Sequence, residues 1–248
     1  MRPFLVLQLR PEAEAADEEF GAFLAKGGLA EDEVHRIRLD QMPLPALSLG
    51  DYAGVIVGGG PGCVSDKPED KRPVEARIEA DILSLMPEIL ARDMPFMGCC
   101  YGLGILAVAL GGEVSKARYG EPIGGVDCAL TEAGAADPLL AGLPRDFRAL
   151  VGHKEAVQAL PPGAEHLVAS DPCPFQMIRT GRNVYATQFH PEADGQSFAA
   201  RIEIYKDRGY FAPEEAGALT ERALAEDVTV PERILSGFVA RYRAVTVA

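Results

Sequence analysis

Three short segments of this chain hold residue types that together could carry out nucleophilic acyl transfer. In Pro95-Phe-Met-Gly-Cys-Cys-Tyr-Gly-Leu-Gly104 a thiol sits on a glycine-flanked turn between an apolar run and an apolar helical pattern. Gly98 and Gly102 permit a sharp turn. A cysteine on such an elbow stands near the positive end of the following helix, where a thiolate is favoured. Cys100 has that position, whereas Cys99, one residue earlier in the strand, should point to the opposite face and pack. In Thr187-Gln-Phe-His-Pro-Glu192, residues i and i+2 of an extended strand end share a side. The Glu192 carboxylate can therefore hold the His190 imidazole while the imidazole takes a proton from a thiol. In Val57-Gly-Gly-Gly60-Pro61-Gly62, closely spaced glycines let backbone N–H groups approach a reacting oxygen.

Each segment also has a plainer reading. Cys99 and Cys100 can be buried cysteines packing as small hydrophobes, His-Pro-Glu a surface turn, and the glycine run a strand-to-helix loop. Gly102-Leu-Gly104-Ile-Leu-Ala107 fits the Gly-x-Gly-x-x-Ala dinucleotide fingerprint, with Glu121 as the acidic partner that motif requires. The His190–Glu192 pair favours the nucleophilic reading, because it supplies the base and orienter that a thiol needs. No Gly-Lys-Ser/Thr follows the glycine run, so it is not a phosphate-binding loop.

These segments need elements to position them. Stretches 3–9, 34–39, 53–57 and 95–99 read as strands and 12–25 as an acidic helix, the βαβ rhythm of a parallel sheet. Val74, Ile78, Ile82, Leu85 and Ile89 recur at helical spacing, with Pro87 expected to break or kink the segment. Glycine directly follows two of the strands, at the carboxyl edge where open α/β sheets bind ligands. From 113 to 190 strands dominate, near 114–117, 125–131, 147–151, 166–169, 175–179 and 184–189, and read as a β-rich insertion before a helix at 196–207. The tail, 213–245, carries two helical patterns around Thr229-Val230-Pro231, with Pro231 suited to the first position of the last helix. Without repeats or flexible linkers, the expectation is one domain over 1–248, with a core of about 1–208 and a C-terminal helical extension of about 209–248.

Composition removes several classes. The 248 residues carry 24 Lys+Arg against 37 Asp+Glu, a net charge of −13, which disfavours nucleic acid and anionic membrane surfaces as partners. The uncharged stretch 94–112 is long enough to cross a bilayer, but Pro95 and its five glycines suit a strand, a turn and a buried helix better. Five cysteines without regular spacing do not resemble a secreted disulfide framework or a zinc site, so a reducing, cytoplasmic location and no metal or cofactor are expected. The acidic run Glu12, Glu14, Asp17, Glu18, Glu19 reads as a solvated helix face, and Arg201, Lys206 and Arg208 as surface charge.

Together the three segments resemble the class I glutamine amidotransferases, the Cys-His-Glu glutaminases known as domains of GMP synthetase and related enzymes. The family elbow Gly-x-Cys-x-Gly-x-Gln stands here as Gly98-Cys-Cys100-Tyr-Gly102-Leu-Gly104, its second motif as Phe189-His-Pro-Glu192, and its Gly-Gly-Pro loop as Gly59-Gly60-Pro61. His153-Lys-Glu-Ala-Val157 is similar to a Ser-His-x-Asp-x-Val segment, and Cys173-Pro-Phe-Gln176 is a weaker echo. The resemblance implies a flavodoxin-like, mostly parallel sheet flanked by helices. It also implies a γ-glutamyl substrate, glutamine first, cleaved through a Cys100 thioester. His190 would be the base, Glu192 its orienter, and the Gly60 and Tyr101 N–H groups the oxyanion donors. Gly104, His153 and Gln188 are the expected substrate contacts. The family places Gln where this chain has Gly104, which turns the question to the substrate. A γ-glutamyl peptide or conjugate hydrolase and a catalytically silent protein of the same fold are the alternatives. Use of the released ammonia would require a separate acceptor or synthase protein.

Overall fold

The computed structural model describes residues 2–208 and 211–243. Its first part alternates as the apolar runs require: β1 (Phe4–Gln8), α1 (Ala13–Gly27), β2 (Val34–Arg38), β3 (Gly54–Val57), α2 (Pro73–Ala91), β4 (Phe96–Cys99) and α3 (Tyr101–Ala109). Strands then dominate, through β5 (Val114–Ser115), β6 (Glu121–Leu130), a short α4 (Glu132–Ala136), β7 (Asp146–His153), β8 (Ala156–Val157), β9 (Ala164–Ser170), β10 (Met177–Thr180) and β11 (Val184–Thr187). Helices α5 (Gly195–Tyr205), α6 (Ala216–Leu224) and α7 (Val230–Arg243) follow. Pro231 is the second residue of α7, within its first turn. Residues 209–210 and 244–248 of the expected C-terminal extension lie outside the described residues.

Nine strands form one sheet in the order β2-β1-β3-β4-β11-β10-β9-β6-β7. From β2 to β11 all neighbours are parallel; from β11 to β7 all are antiparallel. The strand-rich stretch thus continues the same sheet, while β5 and β8 pair apart as a two-stranded ribbon. Strand β11 is where the two pairing regimes meet, and β4 lies beside it in register, Gly98 opposite Ala186 and Cys99 opposite Thr187.

The period-two alternation of the central strands builds two cores. Phe4, Val6, Ile56, Met97 and Tyr185 pack on one face with Phe23 of α1 and with Ile234, Leu235 and Phe238 of α7. Leu5, Leu7, Val55, Val57 and Phe96 pack on the other with Ile78, Ile82 and Met86 of α2 and Leu103 and Leu106 of α3. Both faces being covered, the parallel strands read as continuous apolar runs. The expected break at Pro87 does not occur: α2 runs through it as one 19-residue helix. Met86 and Ile89, buried on either side of the proline, keep the helix on the sheet despite the missing N–H. Among the described residues no helix is long and apolar enough to cross a membrane, and all five cysteines are free thiols.

Candidate active site

The thiol elbow forms where β4 ends. Cys100 adopts φ 54° and ψ −94°, a left-handed-side conformation that costs a non-glycine residue about 1–3 kcal/mol. Its N–H donates to the Thr187 carbonyl at 2.7 Å, and its own carbonyl accepts from Leu103 at 3.0 Å. These bonds tie the strained residue to β11 on one side and to α3 on the other. The turn closes so tightly that a Cβ on Gly98 would lie 2.7 Å from the Gly102 backbone, so glycine is required there. Cys99 falls on the opposite face, in the core with α1 and α7, and burial pushes its thiol well above the ordinary value.

Both glycines of the dinucleotide-like pattern, Gly102 and Gly104, lie inside α3, not in a loop before it. Glu121 accepts from Gln176 and pairs with His153, so the nucleotide reading finds neither its loop nor its free acid.

His190 stands three residues beyond β11, its N–H bonded to the Leu150 carbonyl of β7 at 3.1 Å. Its Nδ1 is 2.8 Å from Glu192 Oε1, and the Cys100 thiol is near enough to act electrostatically on its ring. Both His190 and Glu192 are buried. Burial works against an imidazolium, but the Glu192 carboxylate and Cys100 outweigh it and push His190 up to about 9. Burial likewise opposes the Glu192 charge, yet His190 and then Arg201 hold that carboxyl well below the ordinary carboxylate range. The three groups therefore form a line in which a proton can pass from sulfur to imidazole.

The line opens into a cavity of about 420 Å³. Gly60, Tyr101, Gly104, His153 and Gln188 line it together with Cys100 and His190, so every residue picked out in the sequence faces this one space except Glu192, which is fully buried behind His190. Gln188 Nε2 lies 3.9 Å from Cys100 Sγ. Position 104 is crowded by its surroundings: a Cβ there would stand 3.0 Å from Val64 Cγ2 and 3.4 Å from Glu155 Oε1. Glu155 in turn accepts from Val64 N at 2.8 Å, Ser65 N at 2.9 Å and Ser65 Oγ at 2.6 Å, pinning the loop that follows the Gly60-Pro61 pair.

Two expectations about surface charge are overturned. Arg201 is only 6% exposed and donates to Glu192 Oε1 at 2.9 Å and to Glu18 Oε2 at 2.8 Å. Glu19 is fully buried. It accepts from Arg10 Nε at 2.8 Å and from the Gly59 N–H at 3.2 Å, bracing the glycine loop from behind. Helical spacing carried the signal. Arg201 is i+3 from Phe198 and i−4 from Tyr205, and Glu19 is i+4 from Ala15 and i−4 from Phe23, all on buried stripes.

A second buried pair borders the cavity. His153 Nε2 is 2.7 Å from Glu121 Oε2, and His153 Nδ1 donates to the Glu155 carbonyl at 2.8 Å. With Cys173, whose donor atom lies within 4.8 Å of theirs, they form the kind of cluster that could hold a metal ion. Their own hydrogen bonds already occupy both imidazole nitrogens, and burial together with Glu121 pushes the Cys173 thiol up to about 12.

Residues 28–204 match the family model described as glutamine amidotransferase class-I. A glutamine-hydrolyzing GMP synthase subunit from Haloarcula marismortui is 32% identical over 143 residues, covering 57% of this chain and 65% of that protein. The GMP synthase of Lactococcus lactis subsp. cremoris is 37% identical over 141 residues, 56% of this chain and 24% of that protein. The chain thus spans just under two thirds of the first relative and about a quarter of the second. Among solved structures, a glutamine amidotransferase of Thermotoga maritima superimposes with a TM-score of 0.77 at 22% identity, covering 98% of this chain and 99% of that one. One of Methylobacillus flagellatus does so with a TM-score of 0.72 at 24% identity, covering 98% and 94%. Likeness at that identity speaks for the fold.

Proposed function

The chain belongs to the class I glutamine amidotransferase family, and from that premise we propose that it hydrolyses a γ-glutamyl amide through a thioester on Cys100. The observation that carries the proposal is the line of Glu192, His190 and Cys100 on the wall of one cavity. The Cys100 sulfur, having given its proton to His190, attacks the amide carbon. The Gly60 and Tyr101 N–H groups receive the oxyanion. His190 protonates the departing nitrogen, so ammonia or an amine leaves. Neutral His190 then takes a proton from water, which cleaves the thioester and releases glutamate. Glu192 keeps the imidazole in the tautomer that faces the sulfur. Gln188, whose Nε2 lies 3.9 Å from the sulfur, would contact the bound acyl group.

Glutamine is the first substrate to test, and the likeness to a GMP synthase subunit supports a separate synthase as recipient of the ammonia. The test is glutamate release from glutamine by the purified protein and by its Cys100→Ser form, alone and with candidate synthases. Release that survives the substitution would end the proposal.

A second reading is favoured by one observation. Val64 and Glu155 crowd position 104, where the family carries an amide side chain, and Phe198, Ile202 and Tyr205 line the cavity together with His190. His190 must face the leaving nitrogen, so this wall would contact an organic amine. Cys100-dependent release from γ-glutamyl dipeptides or anilides, with none from glutamine, would select this reading.

A further inference from the structure

The charges behind His190 are arranged so that one carboxylate oxygen serves two donors. Glu192 Oε1 accepts from His190 Nδ1 at 2.8 Å and from Arg201 Nη1 at 2.9 Å, and the two donor nitrogens lie 3.3 Å apart. Glu192 Oε2 and Arg201 Nη2 are both buried without a partner among the described residues. The guanidinium therefore forgoes the two-oxygen fork that arginine and carboxylate readily form and crowds the oxygen that the imidazole uses. Its Nε is tied on the far side to Glu18 of α1 at 2.8 Å.

We propose that Arg201 is a positioning residue that holds one Glu192 oxygen on His190 and opposes the charge of the imidazolium, so that the imidazole can return to its neutral, basic form within each turnover. The inference rests on Cys100 and His190 as nucleophile and base, and on no particular substrate.

The titratable and charged groups that face the His190 ring are Cys100 from the elbow, Glu192 from its own turn and Arg201 from α5, whose Phe198 packs edge-on against the ring. Arg10, after β1, approaches it across Gly59, where a Cβ would lie 2.8 Å from His190 Cε1 and 2.9 Å from Arg10 Nη2. Arg10 is paired with Glu19, as Arg201 is with Glu18 and Glu192. Arginine does not give up its proton in a protein, so its opposition to the imidazolium is permanent. Were Glu192 left to His190 alone, the carboxylate would act on the imidazolium undivided, and the thioester would wait longer for a neutral base.

The test is the pH dependence of Cys100 alkylation by iodoacetamide, read by peptide mass spectrometry, which reports the thiolate without any substrate. Removing a fixed positive charge favours the protonated form of both partners. Arg201→Met is expected to move the midpoint upward by about one unit, a tenfold slower reaction below it, while Arg201→Lys, which keeps the charge, stays within a few tenths. Glu18→Gln strips the anion from behind the guanidinium and should move the midpoint the other way. A loss of packing alone would change the rate at every pH and leave the midpoint in place. That outcome, or equal shifts in the Met and Lys forms, overturns the proposal. If Arg201→Met does not fold, Glu18→Gln decides, and an unmoved or raised midpoint overturns it. Cys100 alkylated no faster than the buried cysteines would remove the nucleophile assignment and this inference together.

Discussion

Two buried histidine–carboxylate pairs border the same cavity. His190 lies 2.8 Å from Glu192 and His153 lies 2.7 Å from Glu121, each pair with a cysteine nearby. What separates them is the second ring nitrogen. In His153 it donates to a backbone carbonyl, an acceptor that cannot take part in proton transfer, so the pair clasps β6 to β7 and to the turn that carries Glu155. In His190 the ring meets a thiol on a strained elbow, with a guanidinium pressing on the shared oxygen. A short imidazole–carboxylate distance is thus no sign of catalysis by itself. The group on the far side of the ring decides whether the proton has anywhere to go.

The contrast is broken most directly by activity. Cys100→Ser should lower glutamate release by about 10⁴-fold or more, and His190→Ala by about 10²–10⁴-fold, whereas His153→Ala should keep kcat within about tenfold. A collapse of kcat in His153→Ala would erase the distinction. The reverse ranking is expected for stability. His153→Ala leaves the buried Glu121 carboxyl with Gln176 as its remaining partner and should cost about 1–3 kcal/mol in denaturant unfolding, as for a lost buried hydrogen bond.

Stability against pH sharpens the comparison further. The folded value of His190, about 9 against an ordinary 6.5, means that its ionic contribution is fully present below about pH 6.5 and is lost as pH rises through about 9. Relative to His190→Gln, the parent should therefore be favoured by about 2–3 kcal/mol at pH 6, with the gap closing by pH 10 in parallel melts. The two neighbouring thiols should part in the same way. At pH 8, iodoacetamide is expected to modify Cys100 at least about a hundredfold faster than Cys173, whose thiol stands near 12. Equal labelling would contradict the difference in their surroundings. The smallest effect belongs to Gly104→Gln. Its side chain must displace Val64 or Glu155, so a loss of about 1–3 kcal/mol from overpacking and a raised KM for glutamine are expected. A lowered KM would mean that the loop yields and the amide is welcome.

Much of this was legible in the residues. The uncharged, glycine-punctuated stretch 94–112 read best as a strand, a turn and a buried helix, and the pairing of His190 with Glu192 was legible in their spacing, but a turn beyond β11, closed by the Ala193 N–H on the His190 carbonyl, brings them together where an extended strand end was expected. Less legible was anything that depends on a partner far along the chain. Glu121 and His153 meet because β6 and β7 pair across a register shift between Glu121 and Gly124, which no local pattern encodes. Arg201 and Glu19 were misread because charge was weighed by residue type, while their places on the buried stripes of α5 and α1 gave the better guide. At Pro87 local propensity lost to the packing of Met86 and Ile89. β8 and α4 are too short for any periodicity to mark.

The pairing of β4 with β11 also sets a schedule for synthesis. A chain emerging from its amino terminus carries the elbow cysteine long before the strand that receives its N–H and the histidine proposed to take its proton. Cys100 first gains the Thr187 carbonyl that steadies its backbone and then, three residues later, the histidine proposed as its base. A nascent or truncated chain therefore lacks the surroundings proposed to make this thiol a nucleophile, and they come together only when most of the polypeptide has been made.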